Sequence, residues 1–531
     1  MSRKRLILLS VGSGILLSLP WLVPSLGWVL FFSFIPLLTI EDQLSGQNNS
    51  RNAFLFIHAF VSFLIWNVLS TWWIAYVSFS GMIFITVSNA GLMACIWWLM
   101  HVIRRRFAVR TGYFSLVAFW ITLEFLQHHW IIPWPWLTLG NGFANSVKII
   151  QWYQFTGVLG GSMWVLLSNI LIFLTAKSLL NKLFLQAIKR TGFALIVIFL
   201  PLLGSLYLYS CYSEKGISQD VMVLQPNIDP YTEKFSGMSA EDQVSKLLSL
   251  AESRLSDSVD LILAPETALP PMLEDDTMIR NQSLFPISEI IKRYPNVRFI
   301  VGALTQRRIK KGELISETAR RSADNSYYYD VFNSALLIDS SSSIQISHKS
   351  ILVNGVERIP FQKYFSFLGE YVLHLGGTNG SLAAANEPVL FLGKDAVKIG
   401  PVICFESAFG EFSGNLVKKG ANILVVLTND GWWKDSPGCW QHFGYSRLRA
   451  VEARRSIAHS ANTGISGFIN QRGDVLEKTS LNSSGAIRHA LQLNEEVTFY
   501  VRYGDYLGWI SMLLSALILI SMVMNFWRNR R

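Results

Sequence analysis

The chain has 531 residues, of which 51% are hydrophobic and 13% aromatic, with 46 basic and 36 acidic side chains and a net charge of +10. It is too long for one ordinary domain and too apolar for a soluble protein of this length. Nor does the surplus charge signal nucleic acid. Residues 1–211 and 506–531 hold 16 basic and 3 acidic residues, which leaves 30 basic and 33 acidic in between and no basic patch pattern.

A membrane crossing by a helix needs roughly 20 apolar residues. Eight stretches qualify: 6–24, 27–41, 54–70, 81–103, 113–130, 155–176, 192–210 and 507–526. The chain therefore reads as a seven-helix transmembrane region over 1–211, a globular region over 212–505 and a C-terminal transmembrane helix over 506–531. Lys and Arg cluster before the first span (Arg3, Lys4, Arg5), after the fourth (Arg104, Arg105, Arg106, Arg110), after the sixth (Lys177, Lys182, Lys189, Arg190) and after the eighth (Arg528, Arg530, Arg531). Loops on the other side hold only Lys148. Positive charge stays in the cytoplasm, so both termini are expected there and region 212–505 on the far face, the periplasmic side of a bacterial inner membrane. Glu124 sits inside the fifth span, where an ionisable group needs a partner or a job. The Trp-rich loop 128–142 suits an interfacial anchor or a lipid floor.

In 212–505, short apolar runs (221–224, 261–263, 299–301, 335–338, 402–403, 423–427) alternate with helical stretches at 240–256 and 443–456. That pattern predicts layered α/β structure, in which reactive groups gather where strands end. Leu-Ile-Leu-Ala-Pro-Glu delivers Glu266, Ile-Gln-Ile-Ser-His-Lys delivers Lys349, and Lys-Ile-Gly-Pro-Val-Ile-Cys delivers Cys404. Asn429 occupies a similar strand end. A thiol is a strong nucleophile only once deprotonated. Glu266 can take its proton, and Lys349 can stabilise a tetrahedral oxyanion together with the backbone N–H after Cys404. The set suits acyl transfer through a thioester and asks for no metal or cofactor. The four cysteines match no zinc or redox spacing. Cys404 and Cys439 can pair only in an oxidising compartment, at the expense of the thiol.

Glu, Lys and Cys in this chain order resemble the catalytic set of the carbon–nitrogen hydrolase (nitrilase) superfamily. With eight spans, the resemblance narrows to the bacterial apolipoprotein N-acyltransferases and covers nearly the whole chain. It is carried by Pro-Glu-Thr-Ala-Leu-Pro (265–270), Lys349 with Glu357 eight residues on, Ile-Cys-Phe-Glu (403–406), Thr-Asn-Asp-Gly-Trp-Trp (428–433), Trp-Gln-His-Phe (440–443) and Ser-Ala-Asn-Thr-Gly-Ile-Ser (460–466). In the membrane part, Glu124 with Pro135-Trp136-Leu137 and the stretch Gly157 to Ser162 are similar to family patterns. Departures are Asn-Gly-Val-Glu at 354–357, Phe at 235 and 405 where Trp and Tyr are common, and Gln127 where Arg is usual.

The resemblance implies an αββα sandwich with an eight-helix bundle, and a two-step reaction. Cys404 would take an acyl chain from a phospholipid and pass it to the α-amino group of a lipoprotein's S-diacylglyceryl cysteine, with Glu266 as base in both steps. Glu357 and Glu406 would support Lys349, Phe235 would help shape the acyl pocket and Phe405 would be a further supporting residue. The expected partners are a phospholipid donor, a diacylated apolipoprotein acceptor and the bilayer. Lifting a lipid chain into water costs about 0.8 kcal/mol per CH₂, so the site should open toward lipid. Trp432, Trp433 and Trp440 are expected on mobile loops guarding that opening, or else in core packing. A membrane-tethered amidase or nitrilase acting on a small C–N substrate is the alternative reading.

Overall fold

The computed structural model describes residues 2–46, 52–234, 237–275, 277–341, 343–358, 381–393 and 397–528. The chain divides into two compact units, Met1–Ala75 with Phe79–Tyr212 and Tyr503–Arg531, and Tyr76–Ser78 with Ser213–Arg502.

The first unit is helical. Among the described residues, eight segments are long and apolar enough to cross a membrane: Arg3–Leu22, Gly27–Ser45, Ala53–Tyr76, Phe79–Arg106, Val109–His129, Tyr153–Leu180, Phe184–Cys211 and Tyr506–Arg528. They match the eight predicted spans, with one difference of consequence. The seventh begins at Phe184, so Lys189 and Arg190 stand on helix rather than in a loop. Arg190 is held there by donating to the Leu174 carbonyl at 3.1 Å. The sixth helix is broken at Gly157, whose φ of 61° with ψ of −169° is a combination essentially reserved for glycine.

Polar residues in this unit pair with one another, as a lipid-solvated bundle requires. Gln127 donates to Asn89 at 2.6 Å and Asn89 to Asn67 at 2.8 Å, a string across three helices. Glu124 is buried and accepts from Trp120 Nε1 and the Leu139 N–H, both at 2.9 Å. Glu41, also buried, is bound by His101 Nδ1 at 2.8 Å and by Arg104, which reaches Asp42 at 2.5 Å; Lys177 meets Asp42 at 2.6 Å.

The second unit holds two sheets. Strands β1 (Ser218–Gln225), β2 (Leu261–Leu263), β3 (Leu269–Leu273), β4 (Arg298–Arg308), β5 (Arg320–Arg321), β6 (Tyr328–Ile338) and β7 (Gln345–His348) belong to the first. Strands β8 (Phe391–Leu392), β9 (Lys398–Ile403), β10 (Ile423–Thr428), β11 (Ile457–Ala461), β12 (Gly467–Ile469) and β13 (Val475–Lys478) form the second. The last strand, β14 (Gly485–Gln492), returns to pair antiparallel with β1.

Alternation along the strands explains the layering. Val221, Val223, Leu261 and Leu263 pack with Ile399, Ile403, Val425 and Leu427 from the other sheet. Their neighbours Met222, Leu224 and Ile262 pack instead with Val244, Leu247, Ile287 and Ile290, which lie on helices α8 (Ala240–Glu252) and α9 (Phe285–Arg293). Strands apolar on both faces are buried on both. Beyond the second sheet lie α10 (Gly410–Lys418) and α11 (Pro437–Ala453). A Cβ on Gly400 of β9 would meet Leu416 of α10, and Phe443 of α11 stacks edge-on with His459 of β11. The result is an αββα sandwich in which β9, β10 and β11 run parallel.

Candidate active site

Three connections after strands bring the reactive groups together. Glu266 follows β2 across Ala264 and Pro265. Its side chain is buried, and Oε1 accepts from Asn333 Nδ2 at 2.7 Å and from Lys349 Nζ at 3.2 Å. Lys349 directly follows β7, and its own N–H donates to the Asn333 carbonyl at 2.8 Å. The Lys349 ammonium also lies 2.9 Å from Glu357 Oε1, which accepts from Asn333 Nδ2 at the same distance. One amide and one ammonium thus tie two carboxylates together. Cys404 directly follows β9 and opens a 3₁₀ turn, Cys404–Ala408, with φ at +52°. A left-handed residue there turns the chain sharply and aims the thiol off the strand end.

The elbow is stapled to the lysine segment by Glu406. One of its oxygens accepts from the Ile403 N–H at 2.8 Å; the other accepts from Ser350 N–H at 2.6 Å and Ile351 N–H at 3.1 Å. Burial nevertheless pushes this carboxyl up to about 7, against those donors and the charge on Lys349.

Electrostatics sort the three groups. Burial and then the Glu266 carboxylate hold the Cys404 thiol well above its ordinary value, outweighing Lys349. Burial pushes Glu266 up, but Lys349, Asn333 and Lys234 together leave it below the usual carboxylate range. Burial alone would lower Lys349; Glu266 and Glu357 reverse that and keep it charged. The resting site therefore holds a protonated thiol beside an ionised base and a fixed cation. These groups line a cavity of about 640 Å³, whose walls also include Lys234, Asn429 and Trp432. Its lining also includes the apolar side chains of Leu269, Leu304, Val353, Val356 and Leu382. That volume is in the range of small-molecule sites.

Two stretches of sequence match models of known families. Residues 13–171 match the apolipoprotein N-acyltransferase N-terminal domain, and residues 221–498 match carbon–nitrogen hydrolase. The chain belongs to the carbon–nitrogen hydrolase family. Curated relatives named apolipoprotein N-acyltransferase match it from end to end. The Chlorobaculum tepidum protein is 28% identical over 93% of this chain and 92% of its own. For the Geobacter metallireducens protein the figures are 27%, 97% and 95%, and for the Thermotoga maritima protein 27%, 98% and 94%.

Not every expected residue of this carbon–nitrogen hydrolase chain stands where anticipated. Phe235 lies outside the described residues. Phe405 is buried and packs edge-on against Phe409 at 5.1 Å. Trp432 and Trp433 sit in a 3₁₀ turn, Asp430–Trp433, while Trp440 is on α11, not on a loop, because Ser436 caps that helix and Pro437 starts it. Among these three only Trp432 lines the cavity. It is held by Tyr231, whose hydroxyl donates to its carbonyl at 2.8 Å and whose ring meets it edge-on. Trp433 packs edge-on against His442. Cys439 is buried and unbridged, and its thiol is pushed up by burial.

Four residues were not singled out by sequence. Asn333 is a buried amide which, with Ser334, interrupts the apolar run Val331–Ile338 of β6, and that break in pattern was its signal. Lys234 had none. Asp430 and His442 lie behind the elbow, inside quoted motifs but with no assigned role. His442 donates from Nδ1 to Asp430 at 2.9 Å and from Nε2 to the Cys404 carbonyl at 3.0 Å. Burial lowers it, but Asp430 and the carbonyl outweigh that and raise it above the ordinary imidazole value. Asp430, His442 and His459 carry ligand atoms within 4.8 Å of one another. With Nδ1 engaged by Asp430 and Nε2 by the Cys404 carbonyl and Ser407 Oγ, the ring ties α11 to the back of the Cys404 elbow.

Proposed function

We propose that this chain is an apolipoprotein N-acyltransferase, moving an acyl chain from a phospholipid to the N-terminal amine of a diacylated lipoprotein. One observation carries the reading: a buried Cys404, Lys349 and Glu266 share a partly apolar cavity in a chain whose described residues also include eight membrane-length helices. The end-to-end similarity to relatives of that name supports it. In this reading residues 1–211 and 506–531 embed the enzyme, 212–505 bears the chemistry, and the distribution of Lys and Arg puts that region on the periplasmic side with both termini in the cytoplasm.

In the first step Glu266 takes the Cys404 proton as sulfur attacks the ester carbonyl of the phospholipid. Lys349 and the N–H after Cys404 stabilise the oxyanion. The C–O bond breaks, Glu266 returns the proton to the departing glycerol oxygen, and a lysophospholipid leaves a thioester behind. In the second step the neutral α-amine attacks that thioester. Its proton passes through Glu266 to the sulfur, the C–S bond breaks and the amide is complete. Atoms balance with no water, oxidant or metal.

Mass spectrometry of the purified protein given phospholipid alone tests the first step. One acyl chain should be gained, lost to hydroxylamine and missing from Cys404→Ser. A diacylated lipopeptide should then become triacylated. No adduct and no product would discard the reading, and release of free acid from a small amide without any lipid acceptor would favour the hydrolase instead.

A further inference from the structure

Lys234 lies in the same cavity as Glu266, Lys349 and Cys404. Its backbone is fixed at both ends: its N–H donates to the Asp229 carbonyl at 2.9 Å, and its carbonyl accepts from Gln243 Nε2 of α8 at 2.8 Å. The ammonium is buried, 2.6 Å from Thr267 Oγ1 and 3.5 Å from the Glu266 carbonyl oxygen. Burying an ammonium is costly, and burial pulls this one down to about 8 even with Glu266 beside it.

The turn it touches is strained. Thr267 has φ at +49°, a region that β-branched residues avoid. On the other side Gly302 of β4 presses so close that a Cβ there would sit 2.5 Å from Thr267 N and 2.6 Å from Glu266 Cα. The turn is clamped between Gly302 and Lys234, and its geometry decides where the Glu266 carboxylate points.

We propose that Lys234 is a positioning residue for Glu266: it locks the Glu266–Thr267 turn and supplies, beside Lys349, the second cation that keeps the carboxylate ionised to receive the thiol proton. This rests on Glu266 being the base of the proposed reaction. Neither the Glu, Lys and Cys set nor its supporting carboxylates assigns Lys234 a part.

The test is the pH dependence of Cys404 alkylation by iodoacetamide in the full-length protein, read on the Cys404 peptide by mass spectrometry, with no lipid required. The wild type should show an acid limb that Glu266→Gln removes. Lys234→Met should move that limb up by about one pH unit, as expected when an opposite charge is lost from beside a carboxylate. It should also lower the plateau about tenfold through misalignment of the base. Lys234→Arg should return the limb to its original position. Thr267→Val, which keeps the ammonium but removes its partner, should lower the plateau and leave the limb in place. A limb that Glu266→Gln leaves intact would sink the base assignment and this inference with it. If Glu266→Gln removes the limb but Lys234→Met does not move it, or if Thr267→Val moves it equally, this inference alone is overturned.

Discussion

At Cys404 the backbone does as much as the sulfur. A left-handed φ at a non-glycine residue costs free energy, and here the strain is met by hydrogen bonds to the residue's own carbonyl from Ser407 Oγ at 2.8 Å and from His442. His442 in turn needs Asp430, since a buried imidazolium without a counter-charge is strongly destabilising. Asp430→Asn should therefore lower apparent stability by about 3–5 kcal/mol. The pH dependence has a definite sign. The folded value of His442 is raised above the unfolded one, so its contribution is fully present below about 6.5 and is lost as pH rises through the raised value. The gap in apparent Tm between wild type and Asp430→Asn should be widest in mild acid and shrink in alkali. A pH-independent gap would show that His442 is neutral in the fold.

Among elements, the sandwich sets the site by where its strands stop. β2, β7 and β9 end within a few residues of Glu266, Lys349 and Cys404, and one carboxylate, Glu406, joins the last residue of β9 to the segment after β7. This much was legible in the sequence, because an apolar run that stops at a charged or thiol residue marks a strand end. What was not legible is pairing across the sheet. β4 and β6 pair antiparallel in register, with Leu304 opposite Asn333 and Gly302 opposite Ala335. Only that register puts Asn333 between two carboxylates and Gly302 under the Glu266 turn, and no local pattern encodes it. Trp440, expected on a mobile loop or in core packing, stands on a helix because Ser436 caps it and Pro437 starts it. Gly302→Ala tests the close approach. Its Cβ would meet backbone at 2.5 and 2.6 Å, which cannot rotate away, so the Glu266 turn must shift. Acyl transfer should fall about a hundredfold through misplaced geometry while the protein still folds. Unchanged initial rates would mean the turn is not what fixes Glu266.

In the molecule as a whole, charge is partitioned. The central region is near neutral and the helical unit carries the positive excess, which made eight spans readable from hydropathy and Lys/Arg placement alone. The partners of its few acids were not readable, since the Glu41–Asp42 pair, Arg104 and Lys177 are far apart in sequence and meet only when three helices pack. Arg104→Met should leave Glu41 poorly compensated and cost about 3–5 kcal/mol, seen as a lower apparent Tm in detergent. Adding Glu41→Gln should recover much of that loss, because the stranded charge is gone. Failure of the double variant to recover would assign Arg104 a role beyond pairing.

Glu266, Lys349 and Cys404 all face a single chamber, and that fact dictates kinetics. In the proposed reaction the two bulky guests would share that one chamber, so the spent lysolipid would have to vacate before the incoming peptide entered. Double-reciprocal plots at several fixed donor levels should be parallel rather than intersecting, and an excess of either guest should block the berth meant for the other.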